Sequence, residues 1–190
     1  MSFWGIPITT VATATDSSNT DVSTVDTIAR MRGIARMSSS DSRVVGAVQE
    51  CLDTLPRLHS QRELMRVIYL WIRGHVTFEE DESILSQVLG YQDVQHELLI
   101  SPPVLLSMPS PMGDCDDYSM LSASMLLCAS IPVMFVVIAC DENQPWRFSH
   151  VYCKAFDKEM GTWIPFDASH GKLLGWQYQG PVFRRAEWYV

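Results

Sequence analysis

The chain has 190 residues, 47% of them hydrophobic, which is enough for one well-packed domain and short for two. A formal charge of -8 and a pI of about 5.0 make the general attraction to phosphate backbones repulsive, so nucleic acid is not an expected partner. No apolar run reaches the ~20 residues of a membrane span, and the first residues lack the basic start and apolar core of a secretion signal.

Five cysteines, Cys51, Cys115, Cys128, Cys140 and Cys153, form no CxxC pair, and an odd number cannot all pair within one chain. A reducing compartment fits, so the expected location is cytoplasmic. His59, His75, His96, His150 and His170 stand singly, without zinc-site spacing, and no metal or cofactor is expected.

Residues 1–24 are rich in Ser and Thr, a composition that buries little. They read as a flexible arm, either loose or docked on a neighbouring protein through Phe3, Trp4 and Ile6. The remaining residues, 25–190, form the expected domain. Apolar residues at helical spacing predict helices from Val25 to about Met37 and from about Ser42 to Leu55, the second ended by Pro56. Ser60-Gln61-Arg62-Glu63 is a capping box opening a third helix that stops near Gly74. His75 to Phe78 reads as a short strand. The irregular stretch 83–112 holds two short helical pieces, Ser83 to Leu89 and Pro103 to Leu106, leads directly to Cys115 and is expected to form one wall of a cleft.

Gly113-Asp114-Cys115-Asp116-Asp117 then delivers a cysteine to the first turn of an apolar helix running to Ala129. Backbone N–H groups and the helix dipole at that position favour a thiolate. Asp114 is a natural N-cap, and Asp116 and Asp117 complement the dipole, yet their charge opposes thiolate formation. Beyond the helix the period changes. Val133 to Ala139 reads as a strand buried on both faces, Phe148 to Phe156 and Thr162 to Asp167 as two strands joined by a turn around Lys158, and Ala168 to Val190 as an aromatic-rich wrap. Helices followed by an antiparallel sheet make an α+β fold.

A cysteine nucleophile needs a base and a group that orients the base. His150 and Asp167 supply both residue types. A tight turn centred between Lys158 and Glu159 would set Tyr152 opposite Pro165 and His150 opposite Asp167, with Cβ atoms about 4.5–5.5 Å apart on one face. The alternative readings are an inert buried thiol, an ordinary strand histidine and a turn aspartate.

The motifs Gly113-Asp114-Cys115-Asp116-Asp117, Ile131-Pro132, Phe148-Ser149-His150-Val151 and Trp163-Ile164-Pro165-Phe166-Asp167, with Gly175-Trp176 after them, resemble the transglutaminase-like superfamily. Its fold is the papain-like cysteine-protease fold, and the likeness is to its small single-domain members from bacteria and phages. The resemblance implies Cys115 as nucleophile, His150 as base and Asp167 as its orienting partner, acting on a peptide, isopeptide or amide through a thioester. The Cys115 backbone N–H would be one oxyanion donor, with Gln95 or Tyr91 as candidates for the second. Trp146, Trp163 and His170 are the expected cleft residues. The other function weighed is a structural protein that keeps the fold with an idle triad and contacts virion or tail proteins through the arm.

Overall fold

The computed structural model describes residues 2–3, 6–7, 9–12, 20–81, 83 and 96–190, with side chains over 22–81, 83 and 98–190. Three short strands, β1 (Ser2–Phe3), β2 (Ile6–Pro7) and β3 (Thr9–Ala12), precede helices α1 (Thr20–Ser38), α2 (Ser42–Asp53) and α3 (Gln61–His75). Then come β4 (Thr77–Phe78), β5 (His96–Leu99), α4 (Pro102–Leu105), β6 (Met112–Gly113) and α5 (Cys115–Cys128). The chain closes with β7 (Val133–Ala139), β8 (His150–Asp157), β9 (Thr162–Phe166) and β10 (Arg184–Tyr189). Of the predicted Ser83 to Leu89 helix, residues 84–89 lie outside the described residues, as do the side chains of Phe3, Trp4 and Ile6 in the arm.

Local signals account for the helix starts. The Asp41 carboxylate caps α2 by accepting from the Arg43 N–H, and Ser60 and Glu63 form the reciprocal capping box of α3. On α2 the stripe Val44, Ala47, Val48 and Cys51 is buried, and on α3 Leu64, Met65, Ile68, Tyr69 and Ile72. The helix α5 differs: every residue from Asp116 to Leu126 is buried, because α1, α2, α3 and β8 surround it. Its serines make this close packing possible. Ser119 Oγ donates to the Val151 carbonyl at 3.1 Å and Ser124 Oγ to that of Ala35 at 3.1 Å, so small polar side chains are satisfied across the contacts.

The four-stranded sheet has the order β10-β7-β8-β9 and is antiparallel throughout. All seven residues of the inner strand β7 are buried, as its continuous apolar run predicted. The alternating residues Phe135, Val137, Val151, Cys153, Ile164 and Phe166 join α5 in the main core. Met134, Val136, Ile138 and Tyr152 form a second cluster on the other face, with Trp163 and Tyr178 against it. The fold is therefore α+β, with a cysteine-bearing helix packed on an antiparallel sheet. None of the helices described is long and apolar enough to cross a membrane.

Two expectations need correction. The C-terminal stretch is not wholly a wrap, because Arg184–Tyr189 pairs with β7 as an edge strand, exposed at every second residue. The β8–β9 register also differs from the tight-turn reading: Lys154, not Tyr152, stands opposite Pro165, and the last pair is Asp157 with Thr162. The cause is local. Asp157 Oδ1 accepts from the N–H groups of Glu159 and Met160, and Gly161 takes a left-handed φ of 65°, which makes a four-residue loop.

Candidate active site

The register slip is two residues. Side chains alternate with a period of two, so His150 and Asp167 keep a common face and become diagonal neighbours within side-chain reach. Their contact survives: His150 Nε2 lies 2.8 Å from Asp167 Oδ2, with both residues buried, at 9% and 3% exposure.

Asp167 follows the last residue of β9, and the loop after it is built to hold its carboxylate. Oδ1 accepts from Ser169 Oγ at 2.9 Å and from the His170 N–H at 3.0 Å. The Asp167 carbonyl accepts from the Tyr69 hydroxyl at 3.0 Å, and Arg73 donates to the Ala168 carbonyl at 3.0 Å, so α3 fixes the loop from below. At Gly171 an added Cβ would overlap both the Asp167 carbonyl and the Tyr69 hydroxyl, which explains the glycine. Burial by itself would raise the Asp167 carboxyl. The hydrogen bond and charge of His150, with the His170 and Ser169 bonds, outweigh it and hold the group below the usual carboxylate range.

An ionised Asp167 takes the Nε2–H of His150 and leaves Nδ1 as the basic nitrogen. The His170 ring stands edge-to-face with His150 at 4.7 Å between centroids and with Phe78 at 4.9 Å. Burial, then the neighbouring His150 charge, pushes the His170 imidazole down and favours its neutral form.

Cys115 opens α5. Asp114 caps the helix through its carboxylate, which accepts from the Asp116 N–H at 3.0 Å. The Cys115 thiol lies 3.7 Å from Asp116 Oδ1 and donates to it. Asp117 is fully buried. One carboxylate oxygen accepts from the Ile100 N–H at 2.7 Å, and the other lies where a Cβ on Gly113 would sit, 2.5 Å away, which is why position 113 carries no side chain. Burial, then the charges of Asp114 and Asp81, raises the Asp117 carboxyl well above its ordinary value. By contrast Cys153 and Cys51 are buried thiols and Cys128 a partly buried one, all pushed up by desolvation, Cys51 to about 12.

One cleft of about 480 Å³ is lined by Cys115, His150 and His170 together, with Phe78, Phe148 and Tyr178 among its walls. The amino-terminal end of α1 contributes Ser23, Thr24 and Thr27. Cys115 reaches the cleft as the first residue of α5 and His150 as the first of β8, so the site forms at the sheet margin. Trp146 and Trp163, expected in the cleft, are not among its lining residues. Trp146 is half exposed, and Trp163 packs between Phe156 and Tyr189. Gln95 and Tyr91 lie outside the described residues.

Three sets of side chains bring ligand-type atoms within 4.8 Å of one another: His150, Asp167 and His170; Asp114, Cys115 and Asp116; and Asp81, Asp114 and Asp117. These are the groups among the described residues close enough to share an ion. Sequence reading did not anticipate the Asp116 contact with the thiol or the Ser169 support of Asp167. The second had a signal, since Asp167-Ala168-Ser169-His170 is an Asx-turn pattern.

The fold has distant likenesses among solved structures. A candidate cysteine protease from Cytophaga hutchinsonii aligns with 18% identity and a TM-score of 0.45, covering 78% of this chain and 45% of that one. A TGase aligns with 14% identity and a TM-score of 0.41, over 85% of this chain and 36% of that one. Rad4–Rad23 bound to a 6-4 photoproduct lesion aligns with 15% identity and a TM-score of 0.46, over 80% and 38%. The chain thus spans less than half the length of each. No protein-family model matches the sequence, and no curated protein does.

Proposed function

We propose that residues 25–190 form a transglutaminase-like, papain-like domain acting as a thiol-dependent hydrolase or acyltransferase. Cys115 is the nucleophile, His150 the general base and Asp167 the residue that orients the imidazole. Support comes from the 2.8 Å contact of His150 Nε2 with Asp167 Oδ2 in the cleft that Cys115 also lines.

In this mechanism Nδ1 of His150 takes the Cys115 proton, and the thiolate attacks a peptide, isopeptide or amide carbonyl. The imidazolium, balanced by Asp167, returns the proton to the leaving amine as the C–N bond breaks, which leaves a thioester. Water then releases the acyl group in a hydrolase, and a second amine takes it in an acyltransferase. The Cys115 backbone N–H, at the positive end of α5, is the first oxyanion donor.

The second reading is a fold kept for binding, with the thiol idle. It is favoured by the Asp116 carboxylate that accepts from Cys115, because an anionic acceptor stabilises the protonated thiol. There the arm, residues 1–24, would contact virion or tail proteins.

Iodoacetamide labelling near neutral pH, located by mass spectrometry, separates the two. The enzyme reading expects Cys115 to label first and the preference to vanish in His150→Ala. Labelling of Cys115 no faster than a free thiol sinks it.

A further inference from the structure

We propose that the cleft is built for a cationic substrate, an acyl donor carrying a lysine or arginine side chain beside the reacting carbonyl. This rests on the thiol-enzyme reading above and adds a charge preference to it. Among the described residues the cleft wall carries five carboxylates, Glu80, Asp81, Asp114, Asp116 and Asp141, against the single guanidinium of Arg147. Their placement matters more than their number. Asp116 is 3.7 Å from the reacting sulfur and buried, and Asp114 precedes it at the helix cap. Glu80 is exposed two residues beyond Phe78, and Asp141 is half-buried two residues past the end of β7, the strand whose Ile138 pairs with His150. Negative groups thus line the cleft from the segment after β4, from the start of α5 and from the turn beyond β7.

Low-dielectric walls focus such a field into the cleft, where it concentrates cations and excludes anions. The aromatic faces of Phe78 and Tyr178 add surfaces on which a guanidinium or ammonium can stack. The α1 wall, Ser23, Thr24 and Thr27, offers hydroxyls and no charge, so it does not oppose the preference.

The test compares three methanethiosulfonates of similar size, carrying a trimethylammonium, a hydroxyl or a sulfonate. In each, the Cys115 thiolate attacks the sulfenyl sulfur, a disulfide forms and methanesulfinate leaves with the bonding electron pair. Rates are read at Cys115 by mass spectrometry in a Cys128→Ser, Cys140→Ser background, and each is divided by the rate for N-acetylcysteine amide in the same buffer. The expected cationic-to-anionic ratio is at least about tenfold above that of the free thiol at low salt. It should fall toward the free-thiol value in about 0.5 M salt and drop several-fold in Glu80→Gln with Asp141→Asn. A normalised ratio at or below one overturns the proposal, as does a ratio unmoved by the paired substitution or a Cys115 closed to all three reagents. The neutral reagent with His150→Ala reports on the thiol activation itself, so failure of the charge preference is distinguishable from failure of the enzyme reading.

Discussion

His150 and Asp167 meet at 2.8 Å without standing opposite each other in the sheet. β9 ends at Phe166, and Asp167 is held instead by a loop whose own groups bind its second oxygen. The site's orientation therefore depends on that loop as much as on strand pairing.

Replacing Asp167 by Asn keeps the size of the side chain and its bonds to Ser169 while removing the charge that sets the imidazole tautomer. The alkylation rate of Cys115 at pH 7 is expected to fall by about tenfold or more, with near-UV circular dichroism unchanged. An unaltered rate removes Asp167 from the machinery.

Asp116→Asn tests the opposite effect. With the carboxylate charge gone, the thiol loses the anionic acceptor that stabilises its protonated form and keeps at most a neutral amide oxygen, and alkylation at neutral pH should rise by roughly threefold to tenfold. A slower rate would assign Asp116 a supporting role.

Gly171→Ala drives a methyl group into the Asp167 carbonyl and the Tyr69 hydroxyl. A cost of about 1–3 kcal/mol in chemical denaturation is expected, with loss of Cys115 labelling preference as the loop shifts. Tyr69→Phe, which removes only the buried hydrogen bond to the same carbonyl, should cost about 1 kcal/mol and leave labelling near its original rate.

Two aspartates give stability opposite pH dependence. The Asp167 carboxyl is held below its ordinary value in the folded state, so its contribution is present above about pH 4 and is lost as pH falls through the folded value. The Asp117 carboxyl is raised, so its contribution is complete below about pH 4 and is lost as pH rises through the folded value. Asp117→Asn should accordingly raise Tm at pH 7 relative to the original chain, and the gain should shrink toward pH 4 in a thermal melt series. A gain that grows on acidification would contradict the sign.

Much of this arrangement is written in local sequence. The capping box at Ser60, the apolar run of β7 and the Asp114 cap ahead of Cys115 act within a few residues, where backbone geometry and side-chain chemistry suffice. So does the shared face of His150 and Asp167, because a two-residue slip preserves strand parity. What the chain alone did not reveal has longer range. β10 is a strand because β7 offers it an edge, whereas the register was a local miss, set by the four-residue loop at Gly161. Trp163 packs between Phe156 and Tyr189, outside the cleft, while Phe148 and Tyr178 line its walls. The Asp116 carboxylate beside the thiol, and the carboxylates gathered from the segment after β4, the start of α5 and the turn beyond β7, acquire meaning only in three dimensions. Sequence patterns report periodicity and capping, whereas the field at a sulfur atom sums over charges that the fold alone brings near.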